Sequence, residues 1–88
     1  MGSFRSIHSE PSPREENPGA DQFLELGLLY STGRSVPTDM VSAHKWLNIA
    51  AMRGNAEAAR LRREIAEEMT DDEIATAQRA ARDWLMRH

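Results

Sequence analysis

The amino-acid sequence predicts an all-α fold of four helices, and three observations predict it. From residue 20 onward, apolar residues recur at intervals of three and four, the spacing that lines one face of a helix. Side chains able to cap a free helix N-terminus stand just ahead of these runs, and glycine or proline interrupts the chain between them. The predicted helices cover residues 20–31, 39–53, 55–68 and 71–87, in one domain over residues 19–88.

Residues 1–18 are predicted to be a disordered N-terminal tail. They hold three of the four prolines, several serines and scattered charges, with Phe4 and Ile7 as the main apolar groups. Such a segment buries too little surface to offset the entropy of ordering it. Met1-Gly2-Ser3-Phe4-Arg5-Ser6 satisfies the loose pattern for N-terminal myristoylation, but pattern frequency alone accounts for the match, and an ordinary start or an expression scar is the expected reading.

In the first predicted helix, Phe23, Leu26, Gly27 and Tyr30 share one face while Leu24 and Leu28 form a second stripe. Apolar character on two sides predicts burial between neighbours. It also leaves Leu24 and Leu28 as a candidate partner-binding edge, since no preceding unit covers them. Gly27 admits a close helix approach. The loop from Ser31 to Thr38 contains Gly33, suited to the left-handed geometry that ends helices, and Pro37, which cannot donate within one.

Thr38 or Asp39 is placed to cap the second helix, whose packing face is Ala43, Trp46, Leu47, Ala50 and Ala51, with Gly54 as its stop. In the third, Ala58, Leu61, Ile65 and Met69 face one way. Arg60 and Arg63 could grip an acidic partner, but each has a glutamate four residues on, Glu64 and Glu67, so a self-neutralised solvated face is the expected role. Thr70 and Glu73 form a capping box for the fourth helix, with Met69 and Ile74 as a hydrophobic staple. The stripe Ile74, Ala77, Ala81, Trp84 and Leu85 predicts docking on the preceding helix. Trp46 and Trp84 read as packing anchors rather than binding-site aromatics.

Composition bounds the function. The 88 residues allow one domain with a modest core. Absence of cysteine removes disulfides and thiolate metal sites, suits a reducing compartment and makes the cytoplasm the expected location. No apolar run approaches the roughly 20 residues that span a bilayer. A formal charge of −3 gives no general attraction for nucleic acid. His44 has no Asp, Glu or His three or four residues away, so neither a metal pair nor a charge relay is evident, and a solvated or helix-capping histidine is expected. Asp71-Asp72-Glu73 lacks the spacing and glycine of a calcium loop; capping accounts for these acids. The expected sites are therefore free of catalytic, cofactor-binding and metal-binding residues. The alternative is a small helical enzyme or ligand-binding protein with a site near His44.

Ala43-x-x-Trp46-Leu47 recurs as Ala81-x-x-Trp84-Leu85 at an offset of 38, a short echo that suggests two repeated units. The first unit carries more. Leu26-Gly27-x-x-Tyr30-x-x-Gly33, followed by Val36-x-x-Asp39-x-x-x-Ala43-x-x-Trp46-x-x-x-Ala50-Ala51-x-x-Gly54, resembles a Sel-like repeat, an αα unit related to tetratricopeptide repeats. Ser35 stands where the family commonly has a second loop glycine, and Gln22 where it commonly has alanine. In the second unit Arg62 and Arg63 replace the Leu-Gly pair and Ala66 replaces the tyrosine, as a terminal cap requires. The resemblance implies a short right-handed αα superhelix of one full repeat plus a degenerate C-terminal capping pair. It also implies a protein–protein interaction scaffold or adaptor without catalytic activity, and the uncovered edge at Leu24 and Leu28 points to another protein or a second copy in a weak homodimer as the partner. Nucleic acid, membrane and metal are not expected partners, and no cofactor is expected.

Overall fold

Proline has no backbone N–H to donate, and the first turn of a helix is where that lack goes unfelt. In the computed structural model, which describes residues 18–88, Pro18 opens α1 (Pro18–Thr32), two residues ahead of the expected start. Of the tail expected over residues 1–18, Pro18 belongs to α1 and the rest lies outside the described residues. Gly33 follows with φ of 69°, in the left-handed region predicted for it; a side chain there would also run into that of Thr38. The loop is closed by the Asp39 N–H donating to the Tyr30 carbonyl at 3.0 Å.

Of the two candidate caps for α2 (Met40–Met52), Asp39 serves. Its carboxylate accepts from the Ser42 N–H at 3.1 Å and the Ser42 hydroxyl at 2.8 Å. Those bonds hold its pKa below the ordinary carboxylate value, the Ser42 backbone bond contributing most. Gly54, with φ of 103°, turns the chain beyond α2, and Asn55 caps α3 (Ala56–Ala66) by accepting from the Ala58 N–H at 2.8 Å. The amide of Asn55 reaches back to Asp21 at 3.3 Å, joining this turn to α1. α3 stops two residues earlier than expected because the N–H groups of Glu67, Glu68 and Met69 donate to carbonyls three residues back, tightening the end into a turn. The capping box of α4 (Asp71–Arg87) is complete: Thr70 Oγ1 accepts from Glu73 N–H at 3.1 Å, and Glu73 Oε1 from Thr70 N–H at 2.9 Å. The two staple positions both join the core: Met69 is buried in it and Ile74 packs against it.

Four helices and no strand make up the described residues. The other three all pack on α2. Its Ala43, Leu47, Ile49 and Ala50 are buried at 1% exposure or less, and His44 at 3%. The helix enclosed on several sides is thus α2, not α1 as the two aliphatic stripes suggested. The α1–α2 seam is close because Gly27 lacks a side chain: an added Cβ would lie 2.6 Å from Leu47 Cδ2 and 3.3 Å from the Ala43 carbonyl oxygen. α3 contributes Ala58 and Ile65 to the same core, and α4 contributes Ala77.

The expected docking of α4 on α3 is not the main contact. α4 lies against α2, with Ala77 and Ala81 at 0% and 1% exposure, and the α3–α4 pair makes little direct contact. Alanines on α4 meet a helix already lined with alanine, so these two backbones can approach closely; the charged residues of α3 other than Arg62 are exposed.

Candidate functional site

Three aromatic rings from three helices meet where α1, α2 and α4 converge. Phe23 stacks on Trp46 with ring centroids 5.7 Å apart and an interplanar angle of 5°. Trp84 meets both edge-on, at 5.1 Å from Phe23 and 5.6 Å from Trp46. These offset and edge-to-face geometries are the ones aromatic quadrupoles favour. His88 stacks on the outer side of Trp84 at 4.4 Å. All three core rings of the group are only partly buried. Trp46 and Trp84 therefore anchor packing through one another and Phe23, but at the margin of the core rather than within it.

Cations border these rings. Lys45 Nζ lies 4.4 Å from the centre of a Trp46 ring, and the Arg53 guanidinium sits 5.5 Å from Phe23 and 6.0 Å from Trp84. A groove of about 260 Å³ beside Trp84 is lined by Lys45, Ala80, Asp83, Arg87 and His88. Among the described residues, the carboxylate ion pairs are those of Arg60; Lys45, Arg53 and Arg87 have none. A second groove, about 560 Å³, lies at the other end of α4, between Tyr30, the Val36–Val41 stretch and Glu73. Its acids, Asp39 and Glu73, are already committed to capping α2 and α4.

The residues singled out from the sequence fall in different places. Leu24 packs against the core, whereas Leu28, at 37% exposure, reaches solvent, so the two do not form one free stripe. Arg60 pairs with Glu64 at 2.7 Å and Glu57 at 3.6 Å on an exposed face. Arg63 is exposed and makes no ion pair with Glu67, which falls past the end of α3 where the four-residue helical register no longer applies. The repeat anchors sit on the α1–α2 hairpin: Gly27, Ala43 and Ala50 are buried, and Leu26, Tyr30, Gly33, Val36, Trp46 and Ala51 partly so. Asp39 and Gly54 bound α2.

His44 is neither solvated nor a cap. It is enclosed in α2, its Nδ1 has no hydrogen-bond partner among the described residues, and burial together with the positive charge of Arg62 lowers its pKa from the ordinary 6.5. Arg62 itself donates to Asn48 Oδ1 at 2.6 Å, bridging α2 and α3. The sequence reading missed Phe23 and Arg53 as partners of the tryptophans. The available signal was the Ala-x-x-Trp echo, which sets both indoles at equivalent positions on two helices.

No protein-family model, curated protein or solved structure matches this chain. No helix among the described residues is long and apolar enough to cross a membrane.

Proposed function

We propose that the chain is a protein–protein interaction scaffold of the Sel-like repeat type, with no catalytic activity of its own. In this reading α1 and α2 form one full repeat of a short right-handed αα superhelix, and α3 and α4 are its degenerate capping pair. The observation that carries it is the set of backbone tasks performed at the three glycines of the motif. Gly27 meets Leu47 where a Cβ would not fit, and Gly33 and Gly54 take positive φ. A family pattern met by chance does not require glycine at each such place. Asp39 as a working cap and the buried Ala43 and Ala50 support the same reading.

The second reading, a ligand site near His44, draws on its buried, unpartnered Nδ1. His44 lines neither of the two grooves described above, which favours the scaffold. Affinity capture with the full chain from its native host, followed by titration of the purified partner by calorimetry, tests the proposal. A saturable complex with one protein is expected. A small molecule that raises the melting temperature of the wild type but not of His44→Leu, with no protein partner retained, would replace the scaffold reading with the ligand-site one.

A further inference from the structure

We infer that the aromatic face built by Phe23, Trp46 and Trp84 is the docking surface of this scaffold, and that its occupant is an acidic peptide segment carrying aliphatic side chains. The inference rests on the scaffold reading and adds to it a place and a partner chemistry. Charge distribution is the first argument. The chain is acidic as a whole, at −3, yet Lys45, Arg53 and Arg87 collect around one ring cluster. These three have no carboxylate ion pair among the described residues, while Arg60, away from this face, is satisfied twice over.

The acids are concentrated elsewhere. Asp71, Asp72 and Glu73 open α4, and Trp84, Arg87 and His88 close it. These ends are separated by most of a 17-residue helix, about 20–25 Å at 1.5 Å per residue. At the ring face Asp83, in the groove, and Asp21, which accepts from Asn55 two residues beyond Arg53, stand against the three cations Lys45, Arg53 and Arg87. Carboxylates brought there gain from several cations at once, and rim charges of this kind select and steer partners.

The rings supply the second argument. They are partly exposed on a rigid mount made by three helices, and partly exposed tryptophan beside a cation is the residue composition that carries binding energy in protein interfaces. Aliphatic side chains cover the ring faces while neighbouring carboxylates meet Lys45, Arg53 and Arg87. Asp83 within the groove, and so few cations, disfavour a polyphosphate chain, whose binding scales with the number of phosphates neutralised.

The test titrates the isotope-labelled full chain with the blocked heptapeptide Glu-Glu-Leu-Glu-Asp-Ile-Glu, its Lys-for-Glu/Asp counterpart and a thymidine decanucleotide. Expected is saturable binding of the acidic peptide alone, with the largest shifts at the Trp46 and Trp84 indole N–H groups and at Lys45, Arg53 and Arg87. Lys45→Glu/Arg87→Glu should weaken it at least about tenfold, and Arg60→Glu, on the other face, should not. Both double and single variants change exposed or half-exposed charges, and retained helical circular dichroism certifies their fold. Absence of binding, equal binding of the lysine peptide, or preferential binding of the decanucleotide would overturn the inference. Binding that appears only after Glu10, Glu15 and Glu16 are changed to Gln would also overturn it, by showing that the chain's own N-terminal segment fills the face. Shifts confined to α3, or a captured protein partner held equally by wild type and the Lys45/Arg87 variant, would overturn the assigned place while leaving the scaffold reading standing.

Discussion

The two helical hairpins are held together by different means. In the first, α1 and α2 pack directly along a seam in which Gly27 receives Leu47, and the loop between them is locked by Gly33, the Asp39 cap and the Asp39-to-Tyr30 backbone bond. In the second, α3 and α4 have well-formed caps but scarcely touch each other; each leans on α2. Local signals therefore suffice to start and stop all four helices, whereas tertiary order has a single centre. Stability in a chain this short comes from burying a shared face rather than from helix propensity, so whatever loosens α2 loosens everything.

That asymmetry can be broken by mutation. The largest effect is expected from Leu47→Ala, which opens the centre from which both hairpins hang and should cost about 3–4 kcal/mol, with all helices lost in one transition in urea followed by circular dichroism. Trp84→Ala removes the edge-to-face partner of Phe23 and Trp46 and should cost about 2–3 kcal/mol; amide resonances of α4 should shift or broaden before those of α1 and α2. Gly27→Ala forces a methyl onto Leu47 and should destabilise the first hairpin by about 1–3 kcal/mol, although alanine is the better helix former. Thr70→Ala removes one half of the capping box, and the expected loss is about 1 kcal/mol with fraying confined to the start of α4.

The smallest expected effect is on pH dependence. His44 has a folded pKa below 6.5, so as pH falls from 6.5 the unfolded chain takes up the proton first and stability declines toward the folded value. Above 6.5 both states are neutral and the contribution is flat. Asp39, whose folded pKa is lowered from 3.8, adds a further loss at more acid pH, as the unfolded carboxylate protonates before the folded one. Urea midpoints measured between pH 7.5 and 5 should fall for the wild type and stay level for His44→Leu.

How much of this was legible in the sequence depended on the range of the interaction. The capping box at Thr70 and Glu73 was readable because its partners lie three residues apart, and the positive φ of Gly33 because few other residues adopt it. The helix ends near Pro18 and Ala66 were displaced by two residues because first and last turns admit alternative hydrogen bonding. Which helix would be central was not readable. Leucine-rich α1 looked the more buried, but α2, with its alanines and His44, is the one enclosed: small side chains allow close approach from several sides, and hydrophobicity alone does not register that. The ring cluster was half legible. The Ala-x-x-Trp echo placed the two indoles in register, but Phe23 and Arg53 joined them only through the crossing of three helices. Leu24 and Leu28 were paired by spacing and separated by the surroundings of each.

Native-state hydrogen exchange of the full chain tests most directly the claim that α2 is the hub. Amides from Ala43 to Ala51 should exchange only through global unfolding, while those of α3 and the last turns of α4 open earlier, through smaller fluctuations that leave the α1–α2 hairpin in place. If the α3 and α4 amides were instead as protected as the whole fold while α2 exchanged faster than they do, the second hairpin would be a unit in its own right and the account would be wrong.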